Sequence, residues 1–115
     1  MTTREIFNTA QNHLLTQKKK SYNSGSSKRC MYRGCDGRKC AIGIFIPDNE
    51  YSKQLESNTL YALKRALKSM VPTICDIFDT EEKESLGKSL QSIHDNVPIT
   101  AWKSELSKLE LTIKD

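Results

Sequence analysis

The sequence predicts an α+β domain: an N-terminal helix, one β-hairpin, then three helices packed on it. Three observations carry this expectation. Thr2-x-x-Glu5 is a capping box ahead of Ile6, Phe7, Ala10 and Leu14, which recur at helical spacing. Asp36-Gly37 sits between two short runs rich in β-branched and aromatic residues, CMYRG and KCAIGIFI, the signal of a two-residue hairpin turn. Past residue 58, three apolar stripes of helical period are separated by Pro72 and Pro98. A lone hairpin is marginal in water, so it has to pack against the helices.

The elements follow in chain order. The capping box opens a helix expected over residues 3–17, with Lys18, Lys19 and Lys20 at the end where the helix dipole favours cations. Residues 21–29, SYNSGSSKR, are rich in Ser and Gly and read as a flexible loop. With Asp36-Gly37 as the turn, Cys35 pairs with Arg38, Arg33 with Cys40, and Tyr32 with Ala41. Alternation then sends Cys40, Ile42, Ile44 and Ile46 to the core face with Met31. Pro47 ends the strand, because it cannot donate to a ladder. After a connecting loop, a helix starts near Asn58 with Leu60, Leu63, Leu67 and Met70 as its stripe, and Pro72 closes it. TICDIF fits a strand or a helical turn equally. Asp79-x-x-Glu82 opens a helix with Leu86, Leu90 and Ile93 inward and His94 beside them. Thr100 caps the last helix, which carries Trp102, Leu106 and Leu109.

The 115 residues make one domain, 1–115, of which 37% are hydrophobic and 28% charged, enough for one modest core and not for separate cofactor and substrate domains. No apolar run nears the roughly 20 residues of a membrane helix, and MTTREIFNTAQ has no apolar signal region. The expectation is a soluble cytoplasmic protein with no membrane partner. Charge is uneven: residues 1–46 hold nine Lys and Arg against two acids, residues 47–115 nine against twelve. Such a footprint suits a phosphate backbone or an acidic protein, and it also suits a solvated loop.

Two blocks add a resemblance. Tyr32-Arg33-Gly34, Lys39-Cys40-Ala41-Ile42-Gly43, Ile46-Pro47-Asp48, Tyr51 and Glu56 form the first; Leu90-Gln91-Ser92-Ile93-His94-Asp95 with Trp102 and Leu106 forms the second. With His13-Leu14-Leu15-Thr16-Gln17, they resemble a family of small uncharacterised proteins of bacteriophages and prophages. The resemblance implies a phage accessory protein in the host cytoplasm, acting on a host process or defence. It covers Cys30 and Cys40 but not Cys35, which sets Cys35 apart from any shared chemistry.

Several residues could carry chemistry. Cys30, Cys35 and Cys40 give C-x4-C-x4-C, a loose zinc spacing that would need His13 or Cys75 as fourth ligand; free thiols, with Cys40 a small buried hydrophobe, are the plainer alternative. Cys40, His94 and Asp95 supply the types of a thiol nucleophile, base and orienter. Against them, consecutive helical residues point about 100° apart, so Asp95 is poorly placed to orient His94. The alternative for His94 is packing near its helix end against a backbone carbonyl. Tyr51 and Glu56 lie on a loop, where binding residues concentrate, or serve as lid and helix cap. Trp102 sits on a core stripe. No P-loop, G-x-G-x-x-G or H-E-x-x-H occurs, and no cofactor is expected.

The expected function is non-enzymatic binding of a host protein through Arg33, Arg38, Lys39, Tyr51 and Glu56. The first alternative is sequence-tolerant RNA or single-stranded DNA binding by Lys18, Lys19, Lys20, Lys28 and Arg29, with Tyr22 and Tyr32 stacking on bases. A thiol enzyme using Cys40 and His94 is another, and a protein that sequesters a small molecule is the last.

Overall fold

The first helix, α1 (Thr3–Gln17), starts where its capping box places it. Thr2 is extended, its hydroxyl accepts the Glu5 N–H at 3.1 Å, and the Glu5 carboxylate accepts the Thr2 N–H at 2.8 Å. Its stripe of Ile6, Phe7, Ala10 and Leu14 is wholly buried. Lys18 ends it in the left-handed conformation and returns its N–H to Leu14 O. The computed structural model describes residues 1–23 and 30–114. Most of the loop expected over 21–29, with Lys28 and Arg29, therefore lies outside the described residues; Ser21 is fully buried.

The α+β expectation and its basic hairpin are overturned. Among the described residues the protein is all-helical, with five α-helices, short 3-10 turns and no strand. The chain does reverse at Asp36 and Gly37, whose φ angles are 57° and 72°, with the Arg38 N–H on Cys35 O. The ladder stops there because its partners are taken. Cys35 N–H goes to Tyr22 O, and Gly34 N–H goes to Arg38 O, so Arg33 lies opposite Lys39 rather than Cys40. Gly34 also abuts Tyr22, where a Cβ would stand 2.5 Å from its carbonyl oxygen. Beyond Cys40, the chain coils into a 3-10 turn at Gly43–Phe45. Alternation fails with the strand: Ala41 and Phe45 are buried beside Cys40, Ile42 and Ile46, while Ile44 and Met31 are half-buried.

Later boundaries shift as well. Helix α2 (Leu60–Arg65) is capped by Thr59 and stops before Leu67 and Met70, which are half-buried in the turns that follow. Pro72 opens α3 (Pro72–Ile77) instead of closing α2, since a first-turn proline needs no N–H partner. TICDIF is accordingly helical. Thr80, not Asp79, caps α4 (Glu81–Asn96). Thr100 caps nothing: a 3-10 turn over Ile99–Ala101 leads directly into α5 (Trp102–Glu110).

Helix α4 is the centre of the packing, touching α1, α2 and α5. Leu86, Leu90 and Ile93 enter the core with Leu60, Leu63, Trp102 and Leu106. Lys64 and Arg65 of α2 reach the Glu84 carboxylate on α4 at 2.8 and 3.3 Å. Trp102 is core, as its stripe implies, with its indole N–H on Val97 O at 3.0 Å. Among the described residues no helix is long and apolar enough to cross a membrane.

Gly43 and Gly37 give opposed expectations. A Cβ on Gly43 would lie 2.1 Å from Tyr32 O, whereas Gly37 faces open space and carries the cost of its positive φ alone. In urea denaturation, Gly37→Ala is expected to cost about 1 kcal/mol. Gly43→Ala should cost about 3 kcal/mol or prevent folding.

Candidate functional site

The last turns of α4 carry Gln91, His94 and Asp95, and all three are tied to the segment between α1 and α2. His94 is fully buried and stacks on Trp102, ring centroids 5.7 Å apart. Its Nε2 accepts the Ser21 N–H at 2.9 Å, which places the ring proton on Nδ1. Nδ1 donates to Asp95 Oδ1 at 2.8 Å. This pairing corrects the expectation that Asp95 is poorly placed to orient His94: Nδ1 is the nitrogen nearest the backbone, so the carboxylate has only a short way to reach. Gln91 Nε2 also donates to Asp95 Oδ1, at 2.8 Å, and Gln91 Oε1 accepts the Ile42 N–H at 3.1 Å. Lys20 Nζ reaches the Asp95 carbonyl at 3.3 Å.

Cys30 completes this group. Its thiol lies within 4.8 Å of the Asp95 carboxylate, and burial followed by that carboxylate's charge pushes it up to about 11. One ligand atom each from Cys30, His94 and Asp95 lies within 4.8 Å of the others, a cluster of metal-binding types. The hydrogen bonds do not fit a metal. Binding through Nδ1 would move the ring proton to Nε2, where the Ser21 N–H already points, and two donors would face each other. Cys35 and Cys40 are not gathered with Cys30 into a cluster among the described residues.

The Cys40–His94–Asp95 combination is not assembled either. Cys40 is fully buried, its Sγ accepts the Gly43 N–H at 3.3 Å, and burial pushes its thiol up to about 12. Both nitrogens of His94 are engaged elsewhere. A nucleophile needs a thiolate, an approach path and a free base, and this thiol has none of them.

Three of the expected binding residues form an internal brace. Glu56 accepts the N–H groups of Tyr32 and Arg33 at 2.8 and 3.2 Å, and the Tyr51 hydroxyl at 2.6 Å. Burial and then that bond to Glu56 push Tyr51 up to about 12. Arg33 lies over the Tyr51 ring at 4.5 Å, donates to Ile46 O at 3.0 Å and pairs with Asp48 at 2.7 Å. Tyr32 is buried, with its hydroxyl on Asn58 O and its ionisation strongly disfavoured by burial. It presents no face for base stacking.

The basic residues that remain are brought together by Gln17. Its Oε1 accepts the Lys39 N–H at 3.0 Å, and its Nε2 donates to Lys19 O at 2.7 Å and Lys39 O at 3.0 Å. His13 Nε2 adds a 2.7 Å bond to Lys39 O, and Ser21 Oγ donates to Arg38 O at 3.2 Å. Residues 18–20 are thereby held against 38–39. Lys18 and Lys19 are exposed, Lys39 is half-buried, and none of the three has an acidic partner among the described residues. Sequence reasoning missed Gln17, Gln91 and Ser21. Gln91 stands inside the second block, next to residues that were singled out for chemistry.

Compared with family models, curated proteins and solved structures, the chain matches none of them.

Thiol labelling checks this geometry. With iodoacetamide on the native protein, Cys40 is expected to stay unlabelled at pH 7.5 and Cys30 to gain reactivity only as pH climbs toward 11. Rapid labelling of Cys40 in the folded state would contradict it. The sign for stability follows from the same shift. Cys40 rises from 9.0 to about 12 on folding, so its contribution is complete below pH 9 and is lost as pH rises through 12.

Proposed function

We propose that this chain is a non-enzymatic binding protein, a small phage-type accessory factor that engages an acidic surface of a host protein in the host cytoplasm. The observation that carries the proposal is the Gln17 clasp, which sets Lys18 and Lys19 beside Lys39 with no acidic partner among the described residues. Unpaired cations fixed on one face steer an anionic partner and set its register. The non-enzymatic part is supported by the saturation of His94, Asp95 and Glu56 with internal hydrogen bonds. The phage-type part rests on the resemblance of the two sequence blocks. Arg33, Tyr51 and Glu56 leave the interface, because the brace uses their polar groups, and Arg38 pairs with Asp36 at 3.7 Å; Lys39 stays in it.

A protein partner is favoured over single-stranded nucleic acid by Tyr32, whose burial removes one of the two aromatic faces that stacking would use. The test is capture from host lysate with and without nuclease, with Lys18→Glu/Lys19→Glu/Lys39→Glu as the control. The wild type is expected to retain one protein stoichiometrically, and the triple variant to bind it at least about tenfold more weakly with an unchanged circular dichroism spectrum. Capture that survives charge reversal would remove this face from the interface. Recovery that vanishes with nuclease would transfer the function to nucleic acid.

A further inference from the structure

We propose that the cavity between α4 and the 56–60 loop binds a small organic anion with an apolar body, its acid group on Lys88. The cavity measures about 380 Å³, within the range of small-molecule sites. Lys88, Ser92, Asp95 and Asn96 line one wall at spacings of four, three and one residues, a single face of α4 opposite its core stripe. Met31 and Leu60 supply apolar surface across from them. The choice of charge comes from what the walls have left to offer.

Among the described residues three charged side chains line the cavity: Glu56, Asp95 and Lys88. Glu56 already accepts two backbone N–H groups and the Tyr51 hydroxyl. Asp95 Oδ1 already accepts from His94 and Gln91. Lys88 is exposed and has no acidic partner among the described residues. The Ser92 hydroxyl accepts from Asn96 Nδ2 at 3.3 Å, which leaves its O–H free to donate. An entering cation would meet the Lys88 ammonium, beside carboxylates of which both Glu56 oxygens and Asp95 Oδ1 are already engaged by internal donors. An entering anion meets an unpaired ammonium and a free hydroxyl, and its apolar body covers Met31 and Leu60. This site uses none of the residues of the basic face and does not depend on the proposed host partner.

The probe is 8-anilinonaphthalene-1-sulfonate, an apolar body with one acid group, followed by fluorescence and compared with uncharged N-phenyl-1-naphthylamine. The wild type is expected to bind the sulfonate saturably at one site and more tightly than the uncharged amine. Lys88→Met should weaken the sulfonate about tenfold and leave the amine unchanged. Ser92→Trp, which fills the cavity from an exposed helical position, should abolish both, and Asn96→Trp serves as a second filling variant. Circular dichroism and thermal melting establish that each variant is folded. Unsaturable binding, equal affinity for the two probes, wild-type affinity in Lys88→Met, or binding retained in both filled variants would each overturn the proposal.

Discussion

A buried backbone N–H left without an acceptor costs on the order of 1–3 kcal/mol, and that constraint organises the segment between α1 and α2. The stretch contains 3-10 turns and isolated bridges in place of a ladder, and their carbonyls leave the N–H groups of Ser21, Tyr32, Arg33, Lys39, Ile42 and Gly43 to other acceptors. Side chains supply them instead. His94 takes the Ser21 N–H, Glu56 those of Tyr32 and Arg33, Gln17 that of Lys39, Gln91 that of Ile42, and Cys40 that of Gly43. Two of these acceptors stand on α4 and one on α1, so the irregular segment is attached to the same helices that make the core. The basic face and the cavity both inherit their shape from this attachment.

The helices with complete local signals were legible in the sequence. The start of α1 needs nothing beyond Thr2 and Glu5, and the stripe of α4 is continuous through Leu86, Leu90 and Ile93. The hairpin was misread because its turn chemistry is correct but strictly local. Asp36 and Gly37 adopt positive φ, as a two-residue turn requires, yet a strand also needs free neighbours. Tyr22 claims Cys35, and Gly43 presses on Tyr32, contacts that periodicity does not register. Pro72 is ambiguous for a related reason. A proline both follows helices and begins them, and with Leu67 and Met70 continuing the stripe, the sequence joined α2 to residues that form turns.

The candidate site shows the complementary limit. His94 and Asp95, marked in the sequence as catalytic candidates, and Glu56, Tyr51 and Arg33, marked as binding residues, all hydrogen-bond within the protein. Residue type does not reveal whether a carboxylate or imidazole accepts from a substrate or from the protein's own backbone, because the chemistry is the same in both cases. Here the partners are internal, and the blocks that suggested a shared function are to a large extent blocks of architecture. Gln17 and Gln91 escaped notice because a glutamine on a helix surface carries no signal of the loop it will hold. Lys18, Lys19, Lys39 and Lys88 belong to the side chains left without an acidic partner among the described residues.

Side-chain acceptors on α1 and α4, rather than a β-ladder, tie the 18–59 segment to the core, and amide hydrogen exchange measured residue by residue reads this out. The Ser21, Tyr32, Arg33 and Ile42 amides are expected to exchange with protection close to that of the α4 core. Gln91→Ala is expected to release the Ile42 amide selectively. Exchange of these amides at the rates of exposed loop residues in the wild type, or an Ile42 amide still protected in Gln91→Ala, would contradict that attachment.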